Sequence, residues 1–466
     1  MAVLAMAAMS VKAQDSVFSY THQGTTLYYI IDSTGDAMLV PPMWPEYDEE
    51  NDETWLGYTK PVGVVTVPDS VSFAGSNYAV TRVGHDAFYK CAEMTSVTLP
   101  AAVTALGMYA FGKCFSLTAF TIPEGVTYIP DCCFFMDTVL TSVNIPTGVA
   151  SIGDYAFYEC CSLQGISIPG NVKAIGSYAF AKCHSLQEIS IPGSVNAIGF
   201  WTFGHCRNLA SVVLSEGVDT IGYASFSRCV NLSHIVIPTT LKAICDFAFQ
   251  YDSALCIDLV LPEGFTTMGP IAFGDCVSLP SVTLPGTMTE VPDHAFRQCN
   301  SLATATLGEG MTTIGESVFV GCNTLNKVII PSTMDSIRSW AFYDGEPDTI
   351  VLRCAVPPAL GNSVFSNYHS ILVVPCGSES AYRQHPVWGR FQNIIENCNG
   401  INDAEVNDIK VYAHGGRIVV EGAEGESVQV FDVTGRPINP KQETIGTGVY
   451  LVKVGTHHTK KVVVIK

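Results

Sequence analysis

The chain has 466 residues, of which 47% are hydrophobic and 14% charged, so it can bury an extensive core and has room for two or three domains. Its formal net charge is −19. Because an acidic chain repels phosphate backbones, we expect no nucleic acid among its partners. The 17 cysteines include no Cys-x-x-Cys pair, which argues against zinc-finger and zinc-ribbon sites.

The N-terminal residues 1–13 have the pattern of a signal peptide remnant. Residues 1–9 are apolar, and Val11-Lys12-Ala13 forms a small-x-small cleavage pattern before Gln14. No other apolar run approaches the roughly 20 residues needed to span a bilayer, so no transmembrane segment is expected. Residues 14–77 follow as a predicted N-terminal capping segment, because the first coil of a repeat array must be shielded from water.

A 23-residue repeat occupies residues 78–370. Its marker is a phenylalanine that recurs thirteen times, with a single one-residue insertion around residues 256–265. The markers are Phe88, Phe111, Phe134, Phe157, Phe180, Phe203, Phe226, Phe249, Phe273, Phe296, Phe319, Phe342 and Phe365. A period of 20 to 29 residues is typical of a leucine-rich repeat solenoid, in which stacked repeats share one continuous core. The predicted fold class is therefore mainly β, a solenoid of about 13 copies.

The repeat 180–203 shows which positions pack. Its Leu-x-x-Ile-x-Ile stretch predicts a short strand whose alternate residues point inward, and the proline that follows ends the strand. The predicted inward residues are Phe180, Cys183, Leu186, Ile189, Ile191, Val195 and Ile198.

A cysteine follows the phenylalanine by three positions in nine repeats. These ladder cysteines are Cys91, Cys114, Cys160, Cys183, Cys206, Cys229, Cys276, Cys299 and Cys322. They share a face with the Phe and Leu ladders, and a buried thiol behaves as a small hydrophobe, so we expect them to be reduced packing residues.

The repeat ends in a predicted C-terminal cap at residues 371–400, where a short helix and a loop close the last coil. Cys354, Cys376 and Cys398 lie off the ladder. A capping disulfide is expected between Cys354 and Cys376, in preference to Cys376 and Cys398. Residues 401–466 lose the period and show about six short alternating strands with glycine turns, which predicts a small β-sandwich.

Two parts of the chain resemble known families. The repeat Leu-x-x-Ile-x-Ile-Pro-x-x-Val-x-x-Ile-Gly-x-x-Ala-Phe-x-x-Cys resembles the BspA-like leucine-rich repeats of bacterial surface proteins. Members of that family are extracellular or surface-exposed and are associated with adhesion. Residues 401–466 resemble the C-terminal sorting domain of type IX secretion substrates, on the stretches 416–422, 428–438, 448–454 and 460–466. That resemblance implies export to the outer-membrane surface of a Gram-negative bacterium through the secretion machinery.

The search for chemistry finds no catalytic constellation, so the protein is not expected to be an enzyme or to carry a cofactor or metal. The candidate ligand surface comprises outward strand positions (Glu188, Ser190, Ser211, His234) and aromatic turn positions (Tyr155, Tyr178, Trp201, Tyr223). Two other interpretations stay open: hydroxyl and valine residues simply suit strands, and the aromatic side chains can shield the Phe ladder.

The expected function is that of a secreted, surface-displayed, adhesin-like binding protein. Its solenoid would recognise an extracellular protein or glycan, and the protein is expected to be a monomer. The alternatives are a structural spacer without a specific ligand and a protein that captures polysaccharide.

Overall fold

The structure, a computed structural model, describes residues 17–44 and 54–398 and six strands between residues 410 and 464. The signal peptide predicted at 1–13 lies outside the described residues. The chain divides into two compact units, Met1–Glu396 and Asn397–Lys466. No helix in the described part of the chain combines the length and apolar composition required to cross a membrane.

The first unit begins with a five-stranded sheet in the order β1-β2-β3-β6-β5. Within it, β3 and β6 are parallel and the other neighbours are antiparallel. The fourth strand, β4, instead pairs in parallel with the first repeat strand, β7. The N-terminal strands are β1 (Phe18–His22), β2 (Thr25–Ile31), β3 (Ala37–Val40), β4 (Gly63–Thr66), β5 (Ser70–Phe73) and β6 (Ser76–Val83).

Each solenoid coil contributes a strand at its Leu-x-x-Ile-x-Ile stretch, except the coil near residue 166, which has none. Paired strands are parallel and join residues 23 apart as far as β25, as in Ile189 with Val212, and 22 apart from β25 to β29. These long strands are β7 (Met94–Thr98), β8 (Ala119–Thr121), β10 (Ser142–Asn144), β13 (Glu188–Ile191), β15 (Ser211–Leu214), β17 (His234–Val236), β19 (Asp258–Val260), β21 (Ser281–Leu284), β23 (Thr304–Leu307), β25 (Lys327–Ile330), β27 (Thr349–Leu352) and β29 (Ile371–Pro375). One further strand, β30 (Asn393–Asn397), comes after the cap helix and pairs with β29.

A second, two-residue strand follows the proline turn of most coils and forms its own parallel ladder. These short strands are β9 (Tyr128–Ile129), β11 (Ser151–Ile152), β12 (Ala174–Ile175), β14 (Ala197–Ile198), β16 (Thr220–Ile221), β18 (Ala243–Ile244), β20 (Thr267–Met268), β22 (Glu290–Val291), β24 (Thr313–Ile314), β26 (Ser336–Ile337) and β28 (Ala359–Leu360). The mainly-β solenoid with 23-residue spacing that the sequence predicts is thus confirmed.

The thirteen marker phenylalanines form an unbroken stack through the core. Successive rings have centroids 5.0 to 5.9 Å apart and are nearly parallel. The insertion near residue 260 interrupts the long-strand ladder, because β17 ends one sheet and β19 begins the next. The ring stack nevertheless continues there, with 5.0 Å between Phe249 and Phe273. The ring stack and the short-strand ladder, in which β18 pairs with β20, therefore both continue across the break in the long-strand ladder.

The nine ladder cysteines are fully buried free thiols, as predicted. Eight of them donate to the carbonyl oxygen of a marker phenylalanine in the preceding coil; the Cys183 Sγ lies 3.2 Å from the Phe157 oxygen. The thiol therefore packs in the core and also supplies a weak donor to a backbone oxygen that the interior hides from water.

The C-terminal cap covers the last ring of the stack. A helix, α1 (Glu379–Gln384), and a 3₁₀ turn (Trp388–Arg390) follow β29. The rings of Trp388 and Phe391 lie edge-on against Phe365, with centroids 5.5 and 5.0 Å away. The Trp388 Nε1 donates to the Pro358 oxygen at 2.9 Å. The end of the apolar core is therefore closed by aromatic side chains whose polar atom is satisfied.

The disulfide predicted between Cys354 and Cys376 is wrong. Cys354 is a buried free thiol that lies 3.3 Å from the Tyr382 hydroxyl, whereas Cys376 and Cys398 are the cysteines that are disulfide-bonded. The reason is burial: Cys354 is held in the core beside Tyr382, while Cys376 stands exposed at the end of β29.

The second unit contains the six strands predicted after residue 400. They form two antiparallel sheets, β31-β32 and β34-β33-β35-β36. Their bounds are β31 (Lys410–His414), β32 (Arg417–Glu421), β33 (Val428–Asp432), β34 (Pro437–Ile438), β35 (Gly448–Val454) and β36 (His458–Val464).

Candidate functional site

The predicted strand positions form a row across three neighbouring strands. Glu188 on β13 pairs with Ser211 on β15, and Ser211 pairs with His234 on β17. Glu188 and His234 are exposed and Ser211 is half-buried. Ser190, also exposed, pairs with Val213, which is 38% exposed. These positions therefore lie side by side on one outward face, which carries mostly short side chains.

The predicted aromatic positions lie on the turn between the short strand and the marker phenylalanine. Tyr155, Tyr178 and Trp201 occupy one position of successive coils and have φ angles of 56°, 56° and 52°. A positive φ is uncommon for a bulky residue. It is maintained here by coil-to-coil hydrogen bonds, such as 2.9 Å from the Tyr178 nitrogen to the Phe200 oxygen. The backbone thus fixes the direction of each aromatic side chain.

The aromatic turn surface consists of Tyr155, Tyr178, Phe200, Trp201 and Tyr223. Tyr155 stacks on Tyr178 with 4.7 Å between centroids, and Tyr178 lies parallel to Trp201 at 6.3 Å. Phe200 stacks on Tyr223 at 4.8 Å, and its ring meets Tyr178 edge-on at 5.3 Å. Tyr178 therefore joins two short stacks into one surface.

Tyr223 stands in a different column from the one that the sequence suggested. It lies three residues before its marker phenylalanine, whereas Trp201 lies two before its own. Its stacking partner is accordingly Phe200, which is 40% exposed and which sequence reasoning missed. The signal was present as the adjacent pair Phe200-Trp201, the only coil with an aromatic residue at both turn positions.

Tyr155 and Tyr178 of this surface are protonated at neutral pH, because their pKa values are raised above the ordinary value for tyrosine. Burial raises the pKa of Tyr178, and the neighbouring Tyr158 raises it further. Burial likewise raises the pKa of Tyr155, with Tyr178 as the next cause. A neutral phenol can donate one hydrogen bond and accept others, so the surface combines apolar area with polar tips.

Charged and polar groups border the surface on its marker-phenylalanine side. The Lys182 Nζ lies 4.9 Å from the centroid of the Tyr158 ring and pairs with Glu159 at 2.5 Å. The His205 ring stacks on Trp201 at 5.5 Å. These contacts limit the rotation of the rings, so the surface is organised before any ligand arrives.

The repeat region matches one described family. Six copies of the BspA type Leucine rich repeat region align with the chain, over residues 70–183, 135–256 and 251–372. Together these ranges cover more than half of the 466 residues. No curated protein matches the chain.

Several crystal structures are similar to the chain. A leucine-rich repeat protein from Bacteroides ovatus is 24% identical, with a TM-score of 0.57, and the match covers 82% of this chain and 98% of that one. A leucine rich cell surface protein from Faecalibacterium prausnitzii is 24% identical over 63% of this chain and 96% of that one, with a TM-score of 0.33. The former similarity shows that the fold is shared. With the six repeat matches, the chain belongs to the BspA type leucine-rich repeat family.

Proposed function

We propose that this protein is a secreted, surface-displayed, adhesin-like binding protein without enzymatic activity. The observation that carries the proposal is the aromatic turn surface, in which five large rings from four successive coils form one continuous, partly exposed patch. Family membership supports a surface location, since proteins of this type are extracellular or surface-exposed.

The patch has the properties of a protein-binding surface. Tyrosine and tryptophan are enriched among the residues that dominate interface energies, because they bury large areas with few rotatable bonds. Ring stacking restricts these side chains further, which lowers the entropy lost on binding. Phe200 and Tyr223 are 40% and 38% exposed. An apolar patch that is both rigid and accessible favours recognition over a purely structural role.

The orientation of the rings favours a protein partner over a glycan. Tyr178 has Tyr155 and Trp201 parallel to its ring, and the other side of the Trp201 stack is taken by His205. A sugar ring stacks on an aromatic face, but here the faces of the rings are turned toward one another. What remains for a ligand is a series of ring edges and phenol hydroxyls, which suits the mixed surface of a folded protein.

The second unit supports export as part of the same proposal. Its strands β32, β33, β34 and β35 lie within the stretches that resemble the type IX sorting domain, and β36 overlaps the last stretch. We therefore propose display of a monomer on the outer membrane of a Gram-negative bacterium, with residues 401–466 engaging the secretion machinery. Deletion of residues 448–466 should abolish surface display in cell fractionation; unchanged display would refute this part.

The binding proposal is tested on an array of extracellular matrix proteins and glycans with the full chain. Saturable binding to a protein is expected, and the triple substitution Tyr155→Ala, Tyr178→Ala and Trp201→Ala should remove it. Trp340→Ala is the matched control, since Trp340 occupies the same turn position, has a φ of 56° and is 44% exposed. Binding of a polysaccharide alone would favour the capture alternative, and no binding to any probe would favour the spacer.

A further inference from the structure

A groove lies beside the aromatic turn surface, at the positions that flank the buried ladder cysteines. Its volume is about 500 Å³. Its lining comes from four coils: His205, Arg207, Arg228, Val230, Tyr251, Ser253, Asp275 and Val277. His205, Arg228 and Tyr251 are equivalent residues of successive coils, with φ angles of 62°, 65° and 68°. The groove is thus built into the coil-to-coil register, and none of its residues is a marker.

One end of the groove is positively charged in a protein that carries a net charge of −19. Arg207 and Arg228 are both exposed, and within the described residues neither forms an ion pair. The Arg228 guanidinium lies 4.5 Å from the centroid of the Tyr251 ring, which holds it against the groove wall. Burial, followed by the nearby Arg228, lowers the pKa of His205. At neutral pH the positive charge therefore belongs to the two arginines.

The opposite end of the groove carries the Asp275 carboxylate. Its Oδ2 is hidden from solvent and pairs with the Arg297 Nε at 3.7 Å, so its charge is already compensated within the protein. Val230, in the coil of Arg228, and Val277, in the coil of Asp275, supply the apolar part of the lining. The groove therefore combines two exposed arginines, which form no ion pair among the residues described, with an apolar wall.

We propose that this groove binds an acidic peptide segment of the protein partner. A glutamate or aspartate carboxylate would accept hydrogen bonds from Arg207 and Arg228, and an adjacent aliphatic side chain would contact Val230. Guanidinium groups match carboxylates because two parallel N–H donors fit two oxygens. A uniformly charged polyanion fits less well, because its charges would lie on the apolar side chains of Val230 and Val277. This inference rests on the proposed function and names the chemistry of the partner segment.

The test uses a rhodamine-labelled peptide, Gly-Glu-Val-Glu-Val-Gly, titrated with the full chain and followed by fluorescence anisotropy. Saturable binding is expected, and it should weaken as salt is added, because exposed charges are screened. The paired substitution Arg207→Gln and Arg228→Gln should raise the Kd by about tenfold or more, the loss expected for charge-assisted hydrogen bonds. The peptide with glutamine in place of glutamate should bind as weakly.

Arg338→Gln is the matched control, because it removes the same charge from a surface arginine that pairs with Glu290 and Asp293 outside the groove. Its Kd should equal that of the wild type. Equal weakening by this control, or no binding of the glutamate peptide, would overturn the inference. Heparin that binds at the same arginines and displaces the peptide would also overturn it, in favour of an anionic glycan.

The proposed function and the groove inference can be refuted independently of each other. If the array ligand depends on the aromatic turn surface while the peptide does not bind, the groove inference is overturned and the proposed function stands. If the peptide binds in an arginine-dependent way while no array ligand is found, the groove is supported and the proposed function is not. Circular dichroism melting of each variant confirms that it is folded before either result is read.

Discussion

The backbone nitrogen of Cys114 donates a 2.7 Å hydrogen bond to the Oδ1 of Asp137, which occupies the ladder position one coil further along. Asp252 makes the same contact with Cys229 at 2.8 Å. Both carboxyls are fully buried, and the Oδ2 of each has no hydrogen-bond partner. Burial raises the pKa of both well above the usual range. A protonated Oδ2 would supply the donor that the ladder thiol supplies in other coils.

This arrangement predicts that the solenoid loses stability as pH rises. A carboxyl whose pKa is higher in the folded state than in the unfolded state stabilises the folded protein. This stabilisation is complete at pH values below the unfolded-state pKa of about 3.9, and it is lost as the pH rises toward the folded-state pKa. The loss is about 1.4 kcal/mol per pH unit for each such group. Urea unfolding between pH 4 and 8 measures it.

Asp137→Asn should reduce this pH dependence, because a neutral amide keeps the acceptor for Cys114 and needs no proton. The same variant should be more stable than the wild type at pH 8. Asp335→Asn, at an exposed aspartate, serves as the control and should leave the slope unchanged. A slope in Asp137→Asn equal to that of the wild type would show that Asp137 is ionised throughout.

The core could be predicted from the sequence because every coil places similar residue types at the same inward positions. Phe180, Cys183 and Leu186 are fully buried, as their 23-residue recurrence requires. When the same residue recurs at the same position of stacked coils, it contacts the equivalent residue of the next coil. The alignment of one repeat with the next therefore predicts the core contacts of every coil.

The candidate site was less predictable because the residues at outward positions differ from coil to coil. A shift of one residue placed Tyr223 on Phe200 rather than on Trp201. The groove is lined by different residue types from separate coils, among them Arg207, Arg228 and Tyr251. No spacing within a single repeat predicts it. Such sites depend on which side chains happen to be neighbours across coils, which only the three-dimensional register reveals.

The ladder thiols should resist alkylation in the folded protein. Burial raises the pKa of Cys183 well above its usual range, and the thiolate is the reactive form. Cys256 is exposed, and Cys161 and Cys245 are half-buried. Treatment with iodoacetamide without reductant should therefore label Cys256 first, Cys161 and Cys245 more slowly, and the ladder only after unfolding, as peptide mass mapping would show. Rapid labelling of Cys183 in the native protein would contradict the buried ladder.

The C-terminal cap should contribute strongly to the stability of the last coils. Trp388 is fully buried against Phe365, and removing a buried Trp costs about 3–5 kcal/mol. Trp388→Ala should lower the urea midpoint and increase hydrogen exchange first at β27 and β29. Tyr382→Phe tests the polar part of the cap, since its hydroxyl donates to the Cys354 oxygen at 2.8 Å. We expect Tyr382→Phe to lower the free energy of unfolding by about 1 kcal/mol. If Trp388→Ala increased hydrogen exchange at β8 as much as at β27 and β29, the effect of the cap would not be local.

At most positions a glycine variant is less stable than an alanine variant. The positive φ of Trp201 should reverse that order of stability at this position. In most positions glycine is the less stable residue by about 0.5–1 kcal/mol, because it loses more backbone entropy on folding. At a φ of 52° an alanine carries the left-handed strain that glycine avoids, which costs about 1–2 kcal/mol. Both substitutions remove the same ring contacts with Tyr178 and His205, so those losses cancel in the comparison.

Trp201→Gly is therefore expected to be more stable than Trp201→Ala by up to about 1.5 kcal/mol in urea unfolding. The control is the same pair of substitutions at Val213, which lies within β15, where alanine should be the more stable. If alanine were also better at 201, the turn would not impose a left-handed backbone there. The aromatic turn surface would then lack the fixed side-chain direction on which its role in binding depends, and recognition would have to involve rearrangement of the rings.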